Sequence, residues 1–353
     1  MRPKTSVLAF FLILLAFLLR VYRLDFVALR GDEAFTVLFV QQPFAQMWDG
    51  IRTIEPNPPL LYLLLRAWVF LAGAGEFGVR FFSAFFGVLC VPLIYRAGRE
   101  MLMTLDSGSR RAMAGLFAAF LLAINPYQIW HSQDVRNYTL WPALSLAGMI
   151  FFFRWIAGWK QSDADNTIKS RANGSFTRQS QVALLFYTLF TLLSLFTHYY
   201  DAFIVLAQNL FVLILLWRRW RAWGEWAISQ IVLGTSFLAW AFVLSDRAAA
   251  YGEGSGIKGL GLVDILQATF SSFVLGETIP AWARAFGWIP FAVIALVTLF
   301  WLTRKRRRVA LWLALYIAIP TLSVFLLNLY RPLFLERYLN GVAPAYYLLL
   351  ALG

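Results

Sequence analysis

The stretch Glu55-Pro56-Asn57-Pro58-Pro59-Leu60-Leu61-Tyr62, continued by apolar residues to Ala72 and interrupted only by Arg66, decides on which side of a membrane every later loop falls. Residues 59–72 either cross a bilayer or lie along its surface. Charge separates the two, because Lys and Arg favour cytoplasmic loops. If the segment does not cross, the cytoplasmic side collects 19 of the 31 basic residues and five of the 18 acidic ones. If it crosses, every later loop flips and Arg304-Lys305-Arg306-Arg307-Arg308 lies outside. Residues 59–72 are therefore expected to form a juxtamembrane helix.

A bilayer is the natural solvent for such a chain: 60% of its 353 residues are hydrophobic and only 14% charged, too apolar for an ordinary soluble domain. The net charge of +13 sits in short clusters between apolar runs, which marks orientation, so no nucleic-acid partner is expected. Apolar runs at 5–22, 77–95, 112–129, 138–153, 182–197, 202–217, 226–244, 286–302, 309–327 and 338–353 give about ten spans, several near the short limit of ~17 residues. The expected fold class is all-α, a polytopic transmembrane helical bundle forming a single domain over 1–353. Juxtamembrane helices belong to its first outer loop. Arg2 and Lys4 precede the first run and no small-x-small cleavage site follows it, so this run is expected to remain as an anchor with the N-terminus cytoplasmic. Cys90, the single cysteine, excludes an intrachain disulfide and a cysteine metal cluster; packing is its expected role.

Two outer loops are long, 23–76 and 245–285. The second carries five glycines around Lys258 without the Lys-Ser/Thr of a phosphate loop, so nucleotide binding is not indicated. It is expected to be a mobile substrate flap, with plain disorder as the alternative. The polar segment 160–181 suits a cytoplasmic linker.

With residues 59–72 kept on one side, the polar residues that suit chemistry share the outer face. Gly31-Asp32-Glu33 follows the first span. A carboxylate there suits general-base work in sugar transfer to a hydroxyl, although two adjacent carboxylates also suit a helix cap or a divalent cation. The prolines around Glu55 and Asn57 fix extended backbone and position both side chains rigidly; they also simply start a helix. His131-Ser132-Gln133-Asp134-Val135-Arg136-Asn137-Tyr138 packs acid, base and aromatic into one short loop, which also fits a satisfied polar turn. His198, Arg331, Arg337 and Tyr338 add cationic or proton-donating groups. Guanidinium forks and tyrosine hydroxyls meet a phosphate headgroup well, and the same residue types also anchor proteins at membrane interfaces.

In order along the chain, the early Asp32-Glu33, the Asn57-Pro58-Pro59-Leu60-Leu61-Tyr62 stretch, Gly-Val-Arg-Phe-Phe-Ser at 78–83, Ser-Gln-Asp-Val-Arg-Asn-Tyr at 132–138, Thr-His-Tyr-Tyr at 197–200 and Arg-Tyr-Leu at 337–339 resemble the GT-C membrane glycosyltransferases. The resemblance is to the bacterial dolichyl-phosphate-mannose-protein mannosyltransferase-like group, related to the lipid A aminoarabinose transferases. It implies an inverting transfer from a polyprenyl-phosphate sugar donor to an acceptor protein, lipid or glycan, in the inner or plasma membrane with the site on its outer face. Asp32 then matches the catalytic carboxylate. Glu33, Glu55, Asn57, Asp134, Arg136, Tyr138, His198, Lys258, Arg337 and Tyr338 become candidates for holding the lipid phosphate or the sugar. Asn57 stands where the pattern has His, and the chain stops within its last span, which fits either a short member of the group or an absent C-terminal portion.

No cofactor is required by this reading, a divalent cation at Asp32 and Glu33 being the one candidate. Two functions of another class remain. A lipid or sugar transporter or flippase needs ionisable residues at mid-depth in its spans, whereas the charges here cluster at span ends. A structural or receptor-like membrane protein has no use for acid, arginine and tyrosine gathered on one face. Among enzymes, an oligosaccharide-transferring or lipid-linked-sugar-polymerising relative is the nearest alternative.

Overall fold

A computed structural model describes residues 3–106, 111–164, 174–243, 260–332 and 334–353. The described residues form helices and connecting turns, in agreement with the all-α expectation. Gly252, Gly254, Gly256, Gly259 and Lys258 lie outside them, as do residues 165–173 of the expected 160–181 linker.

Among the described residues, five helical segments are long and apolar enough to cross a membrane: Glu76–Leu105, Leu140–Trp159, Trp220–Val243, Ala281–Lys305 and Arg307–Tyr330. A sixth results if Ala112–Ile124 and Pro126–Ser132, bent by 61° at their junction, count as one. Several further spans expected from sequence, such as Thr5–Val21 and Asp201–Leu216, are apolar helices of 17 residues or fewer. The protein is a multi-pass membrane bundle.

The first helix, α1 (Pro3–Val21), leads into α2 (Gly31–Gln41), α3 (Phe44–Thr53) and α4 (Leu60–Ala72). Helix α4 has 13 residues, about 20 Å at 1.5 Å per residue, against a hydrocarbon core of ~30 Å. Three contacts hold it along one mouth of the bundle. The Leu60 N–H donates to the Phe196 carbonyl at 3.0 Å, and Trp68 Nε1 donates to the Gly78 carbonyl at 2.8 Å. Arg66, the one break in its apolar run, donates through Nη1 to the Val40 and Gln42 carbonyls at 2.7 and 2.5 Å. Those carbonyls end α2 and have no helical partner, so the charge inside the apolar run is a cap for a neighbouring helix. Both ends of α4 therefore stay at the mouth where α1 ends and α5 (Glu76–Leu105) begins.

Helix α5 is 30 residues long, about 45 Å, and carries the chain to the opposite end of the bundle. There Glu100 meets Arg96 at 2.6 Å and Arg154 at 3.1 Å, and Asp106 meets Arg306 at 3.0 Å. Arg96, Arg154 and Arg306 thus lie at the opposite end from the candidate site.

Helices α6 (Arg111–Ile124) and α7 (Pro126–Ser132) replace the straight span expected over 112–129. Pro126 has no N–H to give to the Leu122 carbonyl, so the helix breaks there. Arg20, fully buried at the end of α1, repairs the break: its guanidinium donates to the Leu122 carbonyl at 3.0 Å, the Ala123 carbonyl at 2.9 Å and Ser132 Oγ at 3.1 Å. Broken helices are tolerated in bilayers where such partners satisfy the freed backbone. Helices α8 (Leu140–Ala164), α9 (Gly174–Leu195), α10 (Asp201–Leu216) and α11 (Trp220–Val243) follow.

Within the expected flap at 245–285 the chain forms α12 (Leu262–Leu275) and α13 (Ala281–Phe286), a departure from an irregular loop. Asp264 starts α12 by accepting the Gly261 N–H at 3.1 Å, a carboxylate cap that also favours the positive helix end. Helices α14 (Ile289–Lys305) and α15 (Arg307–Tyr330) form the final hairpin, and a 3-10 turn (Glu336–Val342) delivers α16 (Ala343–Leu352) into the core.

Lipid is as apolar as leucine, so packing rather than hydrophobicity joins membrane helices. Here the joint is aromatic: Trp155 stacks on Trp226 at 5.0 Å, Tyr187 on Trp226 at 5.1 Å, and Phe152 and Phe211 lie 5.2 and 5.1 Å from Trp312. At Gly341 an added Cβ would fall 2.4 Å from the Trp141 ring, so only glycine lets the 3-10 turn settle there.

Candidate active site at one mouth of the bundle

Asp32 and Glu33 open helix α2, where the free N–H groups favour negative charge. They point in different directions and do different work. Glu33 is buried, with 1% of its surface exposed, and takes a fork from Arg80: Nε to Oε1 at 2.9 Å and Nη2 to Oε2 at 2.8 Å. The other Arg80 donors reach the Leu24, Val27 and Ala28 carbonyls, so all five of its N–H groups are used. Glu33 also accepts the backbone N–H of Arg30 and of Val135, each at 3.2 Å. Burial, the largest single influence, raises the Glu33 carboxyl, but the Arg80 hydrogen bonds and charge together with the Arg30 and Val135 N–H groups outweigh it and hold the group below the usual glutamate range. The candidate ligand role of Glu33 is corrected on this ground: it ties α2 to α5 and to the 133–138 loop. The same occupation removes it from any shared divalent cation with Asp32. Among the described residues no group of three or more His, Cys, Asp or Glu gathers around one point.

Asp32 faces the opening. Its side chain is 65% exposed, and Arg337 Nη2 lies 3.8 Å from Oδ2. One turn on, Thr36 Oγ1 accepts from Arg136 Nη1 at 3.0 Å, which brings a second guanidinium beside the first turn of α2. Nε of Arg136 and Nε of Arg337 are both buried without a hydrogen-bond partner. Buried donors of this kind are costly unless something accepts from them.

The 133–138 loop is built by its own polar groups. Gln133 donates to the Arg20 and Tyr22 carbonyls, each at 3.1 Å, and Asn137 donates to the Thr197 carbonyl at 2.7 Å. Asn340 Nδ2 donates to the Tyr138 carbonyl at 2.7 Å while its Oδ1 accepts from Gln128 at 2.8 Å. These bonds fix the turn that carries Arg337 against the loop. The Arg337 guanidinium then sits 5.5 Å from the centre of the Tyr138 ring, within cation–π range. Burial pushes the Tyr138 phenol up to about 12, so it remains a hydroxyl donor at neutral pH. Asp134 is pushed up by burial and then by the charge of Glu33.

His198 stacks on Trp141 with ring centres 4.0 Å apart and an interplanar angle of 9°. Its Nδ1 accepts the Tyr200 N–H at 3.3 Å. Burial first, then the charges of Arg136 and Arg337, take its pKa down to about 3. The cationic reading of His198 is therefore corrected; it is a neutral imidazole with Nε2–H as its donor. Tyr338 lies near the same ring, 5.9 Å from His198 and 5.2 Å from Tyr200.

Glu55 and Asn57 turn toward each other: Glu55 Oε1 accepts the Asn57 N–H at 3.1 Å and its Nδ2 at 2.6 Å. This pair shapes the proline turn ahead of α4. Sequence reading missed three residues. Arg80 was legible only as a letter in 78–83, Asn340 has no motif at all, and Glu277 lay in a segment read as irregular. Glu277 Oε1 is 3.3 Å from His131 Nε2, and this contact, ahead of burial, holds its carboxyl below the usual range.

No family model matches the chain, and no curated protein matches it in sequence. Solved structures match its shape. ArnT from Cupriavidus metallidurans bound to undecaprenyl phosphate has a TM-score of 0.64 at 19% identity, over 99% of this chain and 60% of its own. The oligosaccharyltransferase AglB from Archaeoglobus fulgidus, in complex with an inhibitory peptide and a dolichol-phosphate, has a TM-score of 0.59 at 14% identity, over 99% of this chain and 50% of its own. The oligosaccharyltransferase from Archaeoglobus fulgidus in complex with Zn and sulfate has a TM-score of 0.56 at 15% identity. The fold is the GT-C fold. The chain spans 60% of the first of these proteins and half of the second.

Proposed function

We propose that the chain is a membrane glycosyltransferase that moves a sugar from a polyprenyl-phosphate carrier to the hydroxyl of an acceptor protein, lipid or glycan, with inversion at the sugar carbon. The observation that carries it is the exposed Asp32 carboxylate set 3.8 Å from Arg337, beside two guanidinium groups whose buried Nε atoms have no partner, in a GT-C fold. An anion and a nucleophile with a proton to lose are what such a mouth lacks.

Asp32 takes the proton of the acceptor hydroxyl as its oxygen attacks the anomeric carbon. The bond from that carbon to the carrier phosphate breaks, and its electron pair leaves with the phosphate. Phosphate is a good leaving group, so positioning and charge neutralisation by Arg337 and Arg136 dominate over acid catalysis. The Tyr138 and Tyr338 hydroxyls and the His198 Nε2–H are the neutral donors for the phosphate or the sugar. Basic residues at the far end of the bundle favour the cytoplasm, which supports a site on the outer face.

Mass spectrometry of lipids copurifying with the protein, followed by transfer assays with the donor it identifies, tests this reading. A retained polyprenyl phosphate and transfer from its glycosylated form are expected. A protein that retains none and transfers from none has another function.

A further inference from the structure

At the end of the bundle opposite Asp32, helices α5, α8 and α9 enclose a cavity of ≈ 710 Å³. Arg96, Arg154 and Arg178 all line it, along with Phe151 and Ser180. One carboxylate serves this group: Glu100 Oε1 is shared by Arg96 at 2.6 Å and Arg154 at 3.1 Å. Three guanidinium groups against one carboxylate leave an excess of two positive charges among the described residues. Arg96 Nε is buried with no hydrogen-bond partner. The cavity floor also opens onto an apolar track. Val182, a lining residue, is followed on one face of α9 by Leu185, Phe186 and Leu189, the i, i+3, i+4, i+7 positions of a helix. All four are 39–66% exposed.

We infer that this cavity is a binding site for an anionic phospholipid of the leaflet opposite the transfer site, with its phosphate among Arg96, Arg154 and Arg178 and its acyl chains along the α9 track. The excess charge selects a net-anionic headgroup over a zwitterionic one, and guanidinium forks match phosphate oxygens in geometry as well as charge. Basic pockets between membrane helices on the cytoplasmic side take lipid headgroups in this way. The site shares no residue with the Asp32 mouth.

The test is native mass spectrometry of the full chain in detergent, titrated with phosphatidylglycerol and separately with phosphatidylcholine. Wild type is expected to retain phosphatidylglycerol selectively. Arg178→Gln, which leaves both Glu100 pairs intact, weakens retention about fivefold, and Arg154→Gln with Arg178→Gln about 25-fold, the equivalent of ~1 kcal/mol per basic residue at an anionic surface. Retention unchanged in the folded single variant overturns the assignment, as does equal retention of phosphatidylcholine. Displacement of the lipid by millimolar inorganic phosphate shows a free-phosphate site and overturns it too.

Discussion

Replacing Glu33 by Gln tests the division of labour between two adjacent carboxylates. The side chain keeps its shape, but only one oxygen remains. Oε1 receives Arg80 Nε and the Val135 N–H, and Oε2 receives Arg80 Nη2 and the Arg30 N–H. Whichever way the amide sits, its NH2 faces two donors, and Arg80, 3% exposed, loses its counter-charge. Two lost charged hydrogen bonds cost about 1.5–3 kcal/mol each, consistent with the roughly 3–5 kcal/mol for breaking a buried ion pair from one side. In detergent, thermal unfolding followed by tryptophan fluorescence should shift down by roughly 4–7 °C at neutral pH. The pH dependence gives a second check. Arg80 lowers the folded pKa of Glu33, so its stabilisation is complete above the unfolded value near 4.3 and is lost as pH falls through the folded one. Wild type and variant should converge on acidification. A variant that melts within 1 °C of wild type at neutral pH refutes the structural role.

Arg20→Met strands the Leu122 and Ala123 carbonyls at the α6–α7 break, and roughly 2–4 kcal/mol of stability should be lost, read by the same unfolding assay. Arg337→Gln keeps a donor near Asp32 but removes charge, so the transfer rate from a polyprenyl-phosphate sugar should drop about 10²–10³-fold with unfolding unchanged. His198 has a folded pKa of about 3 against ~6.5 unfolded, so it weakens the fold as pH falls from 6.5 toward 3. His198→Gln should flatten that part of the stability profile, and the wild-type pH–rate profile should show no step from this residue between pH 5 and 8.

The bundle was legible because apolar runs and basic clusters carry their own punctuation. The decision at 59–72 came from charge alone, and the short helix with both ends at one mouth agrees with it. Tertiary context hid the rest. Pro126 was visible, yet nothing local says that Arg20, more than a hundred residues earlier, will cap the carbonyls a proline frees. Asp32 and Glu33 are neighbours in sequence but about 100° apart around a helix, so one faces Arg80 and the other faces the opening. Which is which depends on a partner 47 residues away. His198 reads as a cation until its burial against Trp141 is known. In 245–285 the five glycines read as irregular chain, yet Gly261 and Asp264 have the spacing of a helix start. The candidate site was legible as a set of residues on one face; the work each does was not.

Asp32 is proposed as the base of a sugar transfer at this mouth. Purified Asp32→Asn should be reconstituted in liposomes with a glycosylated polyprenyl phosphate and an acceptor that wild type uses. Donor binding and unfolding temperature unchanged, with product formation abolished, is the expected result. Product formed at the wild-type rate would contradict it.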